Sequence, residues 1–170
     1  MSGIVLDLIA REYPKYFKGV IYINTGIGTD ATLNFVKNFC KQKNYTLFEL
    51  TPNAVSAKGR SKYLKKGEHY NYQNLIKCFG FPDASWHNTT MAWLKYYPMK
   101  YFINDRIALG ENPALISGVR KNESSRRKFS SKYTRCPLDK SESIIFVKPI
   151  YYKTNTWVSE YWIKNNLKRS

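Results

Sequence analysis

The residues best equipped for chemistry lie in one stretch, Gly118-Val119-Arg120-Lys121-Asn122-Glu123-Ser124-Ser125-Arg126-Arg127. It follows an apolar run, Ala114 to Val119, that reads as a buried strand, and ligands of open α/β sheets bind just beyond strand carboxyl ends. Arg120 is expected at that crevice. Exposed amides of the following turn, the Ser124 and Ser125 hydroxyls and the forks of Arg126 and Arg127 can converge on phosphate or sulfate oxygens. The plainer alternative is the solvated start of a basic helix, with Glu123 pairing with Arg127 one turn on. Residue types alone leave both open.

Other chemistry-bearing residues are scattered. His87 sits between Trp86 and Asn88, where an imidazole could serve as base or ligand, but His69 and His87 have no carboxylate at metal-ligand spacing, so no metal site is expected. Cys40, Cys78 and Cys136 are widely spaced, without a C-x-x-C pair. That pattern suits neither a disulfide framework nor a thiolate metal site and points to a reducing, cytoplasmic compartment. Cys136, beside Pro137 in a basic stretch, is the candidate reactive thiol by charge environment. Tyr63, Tyr70, Tyr72, Tyr96, Tyr97 and Tyr101, interleaved with lysines, could stack on bases, although core packing explains most of them more simply.

These residues need elements to position them. Ile4, Val5, Leu8 and Ile9 form a helical stripe over Ile4 to Tyr13. Gly19 to Asn24 is a short β-branched run closed by Thr25-Gly26, and a helix follows, capped by Thr29 or Asp30, with Leu33, Phe35, Val36, Phe39 and Cys40 as its apolar positions. Thr46 to Leu50 reads as the next strand. Residues 53–69 carry five cations, two glycines and no period, which suggests a mobile loop. Helices are expected over Tyr70 to Phe79 and over Thr89 to Ile107, the second perturbed by Pro98. Ile144 to Ile150 reads as a strand and Thr156 to Leu167 as a closing helix capped by Thr156. Strand, helix, strand order predicts an α/β fold with an open, mostly parallel sheet and helices on both faces.

The 170 residues suit a single domain over 1–170. Content of 43% hydrophobic and 16% aromatic residues excludes a disordered basic tail. No apolar stretch approaches 18 residues and the N-terminal region lacks a basic start, so neither a membrane span nor a secretory leader is expected. With 28 Lys and Arg against 12 Asp and Glu, the net charge of +16 favours polyanionic partners, or simply solubilises the surface. The abundance of Lys, Asn, Ile and Tyr is compatible with an AT-rich genome such as that of a virus or mobile element.

The arginine stretch resembles the G-[IV]-R-x-x-E-S-x-x-R motif of the phosphoadenosine phosphosulfate (PAPS) reductase family, which has a PP-loop, Rossmann-like fold. Three further segments agree in order. Asn24-Thr25-Gly26, then Thr32, Phe35 and Val36, resembles the family's D-T-G strand end, with Asn24 in place of the usual Asp. Cys78-Phe79-Gly80-Phe81-Pro82, Trp86, Leu94-Lys95 and Pro98 are similar to its G-F-P and W-C-T-x-x-L-K-x-x-P region. Val147-Lys148-Pro149-Ile150 with Trp157, Val158 and Tyr161 follows its P-I…W-x-x-x-D-V-W-x-Y segment.

The resemblance implies an adenylyl nucleotide ligand (PAPS, adenosine phosphosulfate or ATP) held by Asn24, Thr25, Gly26, Gly118, Arg120, Glu123, Ser124 and Arg127, with Arg126, Lys95 and His87 as further anion contacts. It also frames two departures. Family members open with a strand and an S-G-G-K-D-S loop, where this sequence has Ser2-Gly3 and then the helix, so the first strand is expected to be missing or replaced. Family reductases also carry a cysteine in a C-terminal E-C-G-x-H element, which this sequence lacks. Weak or absent reductase activity is therefore expected, with a nucleic-acid-binding or structural module as the alternative. A homo-oligomer is the expected means of covering an open sheet edge.

Overall fold

The computed structural model describes residues 2–52, 71–81, 83, 90–123, 133–135 and 145–167. The chain forms two compact units, Gly19–Glu111 and Met1–Lys18 with Asn112–Ser170.

In the unit Gly19–Glu111, β1 (Val20–Ile23) and β2 (Leu47–Leu50) pair in parallel, with Val20 opposite Leu47 and Ile23 opposite Leu50. Gly19 makes their approach possible. A Cβ there would lie 2.5 Å from the Thr46 carbonyl oxygen and 2.8 Å from the Phe48 ring, and its φ is +150°. The crossover helix α2 (Asp30–Lys43) starts where the sequence predicts: Thr29 Oγ1 accepts the Thr32 amide at 3.4 Å. It stops at Asn44, in the left-handed region at φ 55°, whose neighbour Tyr45 donates its amide to the Cys40 carbonyl at 2.8 Å.

Helix α3 (Tyr72–Phe79) is capped by Asn71, whose Oδ1 accepts the Asn74 amide at 2.8 Å. Its Leu75 packs with Trp93 and Leu94 to form a core cluster. The expected disturbance by Pro98 takes a specific form. Ala92–Tyr96 is a π-helical turn that leads into α4 (Tyr97–Ala108). Proline lacks an N–H for the Leu94 carbonyl, and just ahead of it the Tyr97 amide reaches back five residues to the Ala92 carbonyl. From α4, Phe102 packs on Phe48 at 4.9 Å, and the Arg106 guanidinium lies over both rings, at 5.0 and 5.2 Å.

The other unit is built on α1 (Ser2–Glu12), whose stripe is as predicted: Ile4 and Val5 are buried with Ile150 and Val158, and Leu8 and Ile9 flank them. Its three-stranded sheet has the order β3 (Ala114–Ile116), β5 (Ile145–Val147), β4 (Tyr133–Arg135). The β3–β5 pair is parallel, with Leu115 opposite Phe146, and β4 runs antiparallel to β5. Sequence reading gives no sign of β4, because three residues within a basic, serine-rich stretch carry no alternation. The fold is α/β with parallel pairing in both units. Among the described residues its strands form two small open sheets, and the chain's first strand follows a helix.

Strands β3 and β5 stop earlier than predicted, and after β5 the chain turns. Ser117 still donates to the Val147 carbonyl at 2.9 Å, but residues 148–151 close a turn in which Tyr151 donates to the Lys148 carbonyl at 3.1 Å. The closing helix α5 (Asn155–Lys164) begins one residue before the predicted start. Thr154, not Thr156, caps it: its extended backbone aims Oγ1 at the Trp157 amide, 3.1 Å away. Residues 53–69 lie outside the described residues.

Candidate functional site

The charge that the sequence spreads over the chain converges at the carboxyl ends of β3 and β5. Gly118 leaves β3, and Arg120 follows with 8% of its surface exposed; Lys148 is the residue after β5 and is equally buried. Among the described residues these two are the buried polar or charged ones. Because β3 and β5 are parallel, both cations come off the same end of the sheet.

Arg120 is held in place by its neighbours. Nη1 donates to Asn155 Oδ1 at 2.8 Å, in the first turn of α5, and Nε lies 3.6 Å from Glu123 Oε1. Glu123 closes the short 3₁₀ turn Lys121–Glu123 and pairs with the arginine three residues before it. The Arg120 Nε is buried, and among the described residues it has no hydrogen-bond partner, Glu123 standing beyond hydrogen-bond distance. A donor in that state costs free energy until an acceptor reaches it. Burial also pulls the Lys148 ammonium below the usual lysine range. A guanidinium with an unfilled donor near a strand end, on a sheet whose next strand ends in a desolvated ammonium, suits an oxyanion such as a phosphate or sulfate.

The loop Asn24-Thr25-Gly26 leaves β1 in the unit Gly19–Glu111 and is built differently. Asn24 Oδ1 accepts the Gly26 amide at 3.1 Å, an Asx turn, and its Nδ2 donates to Glu49 Oε1 at the same distance. Lys37 Nζ stands 3.0 Å from the other Glu49 oxygen. The Asn24 hydrogen bond, then Lys37, hold the Glu49 carboxyl below its usual range. Gly26 takes φ +75°, and the Thr25 carbonyl accepts the Tyr72 amide at 3.4 Å. Lys95 is exposed on the π-helical turn.

The structure thus places Gly118, Arg120 and Glu123 together and Asn24, Thr25 and Gly26 together. Ser124, Arg126, Arg127, His87 and Cys136 lie outside the described residues. The described thiol of Cys40 is buried, which pushes its pKa up. Sequence reasoning passed over Lys148 and Asn155 as site residues. Lys148 carried a signal, a lysine directly after an apolar run and before a proline; Asn155 carried none, since its role depends on the cap falling at Thr154. No group of His, Cys, Asp and Glu suited to a metal occurs among the described residues, and no described helix is long and apolar enough to cross a membrane.

The model of the phosphoadenosine phosphosulfate reductase domain matches residues 1–170. No curated protein matches the chain. Among solved structures, the phosphate complex of phosphoadenylyl-sulfate (PAPS) reductase from Candida auris is similar in fold, with 20% sequence identity and a TM-score of 0.57 over 98% of this chain and 68% of that one. The ordered motifs, the parallel strands with their basic carboxyl end and the full-length match agree, and the chain belongs to the phosphoadenosine phosphosulfate reductase family.

Proposed function

We propose that this chain binds an adenylyl nucleotide, with Arg120 as the principal ligand of its phosphate or sulfate oxygens and Lys148 as a second cation. One observation carries this reading: the two buried cations of the described residues leave the same end of a parallel strand pair, and the Arg120 Nε has no hydrogen-bond partner among the described residues. Glu123 and Asn155 act as positioning residues that hold the guanidinium. Ser124 and Arg127, next in the motif, are proposed as further ligands of the anion. Family membership supports the ligand class, since the family is named for an adenylyl nucleotide.

The reading includes weak or absent reductase turnover. Reduction by a thiol needs an accessible thiolate, and among the described residues the Cys40 thiol is buried with its thiol form favoured. The test is titration calorimetry with PAPS, adenosine phosphosulfate, ATP and adenosine 3′,5′-bisphosphate. Arg120→Ala, and to a lesser degree Arg120→Lys, is expected to weaken the best ligand by about 10- to 100-fold, the worth of hydrogen bonds to a charged group. Unchanged affinity in Arg120→Ala, with the variant still folded, overturns the assignment. A second reading, a basic module that binds nucleic acid without turnover, is supported by the net charge of +16.

A further inference from the structure

The turn that follows β5 carries a second feature next to the buried cations, the Lys148 Nζ lying 5.7 Å from the Tyr151 ring centre. Tyr152 is 67% exposed, although the next large ring before it, Tyr151, is only 2% exposed. Tyr151 stands against it at 4.9 Å and an interplanar angle of 79°, so a fixed ring props a presented one. One lysine lies at this ring and another follows it in the chain. The Lys121 amide donates to the Tyr151 carbonyl at 2.8 Å, and the Lys121 Nζ lies 5.9 Å from the Tyr152 ring centre. The Lys153 amide donates to the Ile150 carbonyl at 3.0 Å, and its Nζ lies 4.8 Å over the Trp157 ring. Both lysines are exposed residues, and both backbones are tied into the same turn.

We infer that the Tyr152 ring, with Lys121 and Lys153, is a stacking platform for single-stranded nucleic acid, the bases lying on tyrosine and the adjacent phosphates on the two ammonium groups. This rests on the second reading above and gives it a place on the molecule. The occupant follows from chemistry. An aromatic face of this size left in water suits a partner that brings a π-face, and cations within reach of that face suit a partner that repeats a negative charge beside each π-face. A single strand offers both at every nucleotide, whereas in a duplex the bases are stacked on each other and closed to a tyrosine. An arriving base displaces Lys121 from the ring face and delivers its own phosphate to that ammonium. The net charge of +16 steers any such polyanion to the protein.

The experiment is fluorescence anisotropy of a labelled oligo-dT of 20 nucleotides, which contains no adenine and no pyrophosphate; the Tyr152 variants separate binding on the platform from binding of its phosphates at Arg120. Binding is expected at low salt, with Tyr152→Ala weakening it by about 5- to 100-fold and Tyr152→Phe retaining it, as loss and retention of one stacked base require. Lys121→Ala and Lys153→Ala are each expected to flatten the slope of log K against log[salt] by about 0.7. Equal affinity in Tyr152→Ala and the wild type overturns the platform but leaves nucleic-acid binding standing elsewhere on the chain. No binding of oligo-dT at low salt overturns both the platform and the second reading. Tighter binding of a duplex of equal length than of oligo-dT also overturns the platform. Tyr152 is a surface residue, so its variants fold, and their unchanged melting temperatures verify this.

Discussion

Two strand ends of this molecule carry charge, and they handle it in opposite ways. Beyond β1 and β2, the Glu49 carboxylate is answered by the Lys37 ammonium and the Asn24 amide, all at part-exposed positions, so the loop is close to neutral by itself. Beyond β3 and β5, Arg120 and Lys148 are buried, and Glu123 stands 3.6 Å from Arg120. A self-neutralised exposed group needs no ligand and contributes little to stability. Buried charge is different: it is costly unless something of opposite sign completes it, and this is what makes the second strand end the candidate for an anion site.

The largest expected effect tests that difference directly. Removing the arginine in Arg120→Ala takes away the ion pair with Glu123 and the hydrogen bond to Asn155, and breaking a buried pair in this way costs about 3–5 kcal/mol. At about 2–4 °C per kcal/mol for a chain of this size, the melting temperature is expected to fall by roughly 6–20 °C. Lys37→Ala, which breaks the exposed pair, is expected to cost less than about 1 kcal/mol and to move the midpoint by a few degrees at most. Comparable shifts for the two variants in differential scanning calorimetry would erase the distinction between the two strand ends.

Next in size is Gly19→Ala. The new methyl has to occupy space already taken by the Thr46 carbonyl and the Phe48 ring, on a backbone whose φ disfavours any side chain. Overpacking and strain together suggest a loss of about 3 kcal/mol. The effect belongs to β1 and β2, so hydrogen exchange is expected to quicken at Val20 and Tyr22 and to leave Leu115 protected. Uniform loss of protection across both strand pairs would show that the two units unfold as one.

How far the sequence leads differs between these regions for a physical reason. Helices α1 and α2 and strands β1 and β2 were legible because each carries its own period or a β-branched run with local stop signals, Pro14 and Thr29 among them. The arginine motif was legible as well, down to the strand that precedes it. Lys148 and Asn155 were not, because their importance arises from parallel pairing of β3 with β5 and from a cap that falls at Thr154 rather than Thr156. The Arg120–Glu123 pair was also hidden, because it depends on the 3₁₀ turn that brings Glu123 to Arg120 at i,i+3. Burial of a charge is a property of the assembled sheet, and no window of sequence contains it.

A smaller effect separates the helical packing of the unit that holds Arg120 from its strand ends. Tyr161 on α5 donates its hydroxyl proton to Asp7 of α1 at 2.9 Å and accepts from Arg11 Nη2 at the same distance. Burial first, and then the Asp7 bond, push its pKa up to about 12. A phenol whose pKa is raised from about 10 contributes stability that is complete below pH 10 and is lost as pH rises through 12. Chemical denaturation followed from pH 8 to 12 is expected to show that decline, and Tyr161→Phe is expected to flatten it while costing about 1 kcal/mol at neutral pH. An identical alkaline decline in the phenylalanine variant would assign it to other groups.

The smallest effect sharpens the comparison at the neutral strand end. Glu49 has its pKa lowered, chiefly by the Asn24 amide, so in the native chain its contribution is present above its unfolded pKa of about 4.3 and is lost as pH falls through the lower folded value. Asn24→Asp replaces the donated proton with a second carboxylate at hydrogen-bond distance from the first. Two carboxylates so placed cannot both ionise freely, so the pair binds a proton more readily in the folded state than in the unfolded chain, and the sign of the linkage reverses. The variant is expected to be less stable than the parent at pH 7 by under about 1 kcal/mol, given the exposure of the site, and to close that gap on acidification toward pH 4. Thermal melts of both proteins between pH 4 and 7 measure the gap directly. A gap that widens toward pH 4 would mean that Lys37 alone suffices for both carboxylates, and that the β1 strand end holds more positive potential than its one asparagine, one glutamate and one lysine suggest.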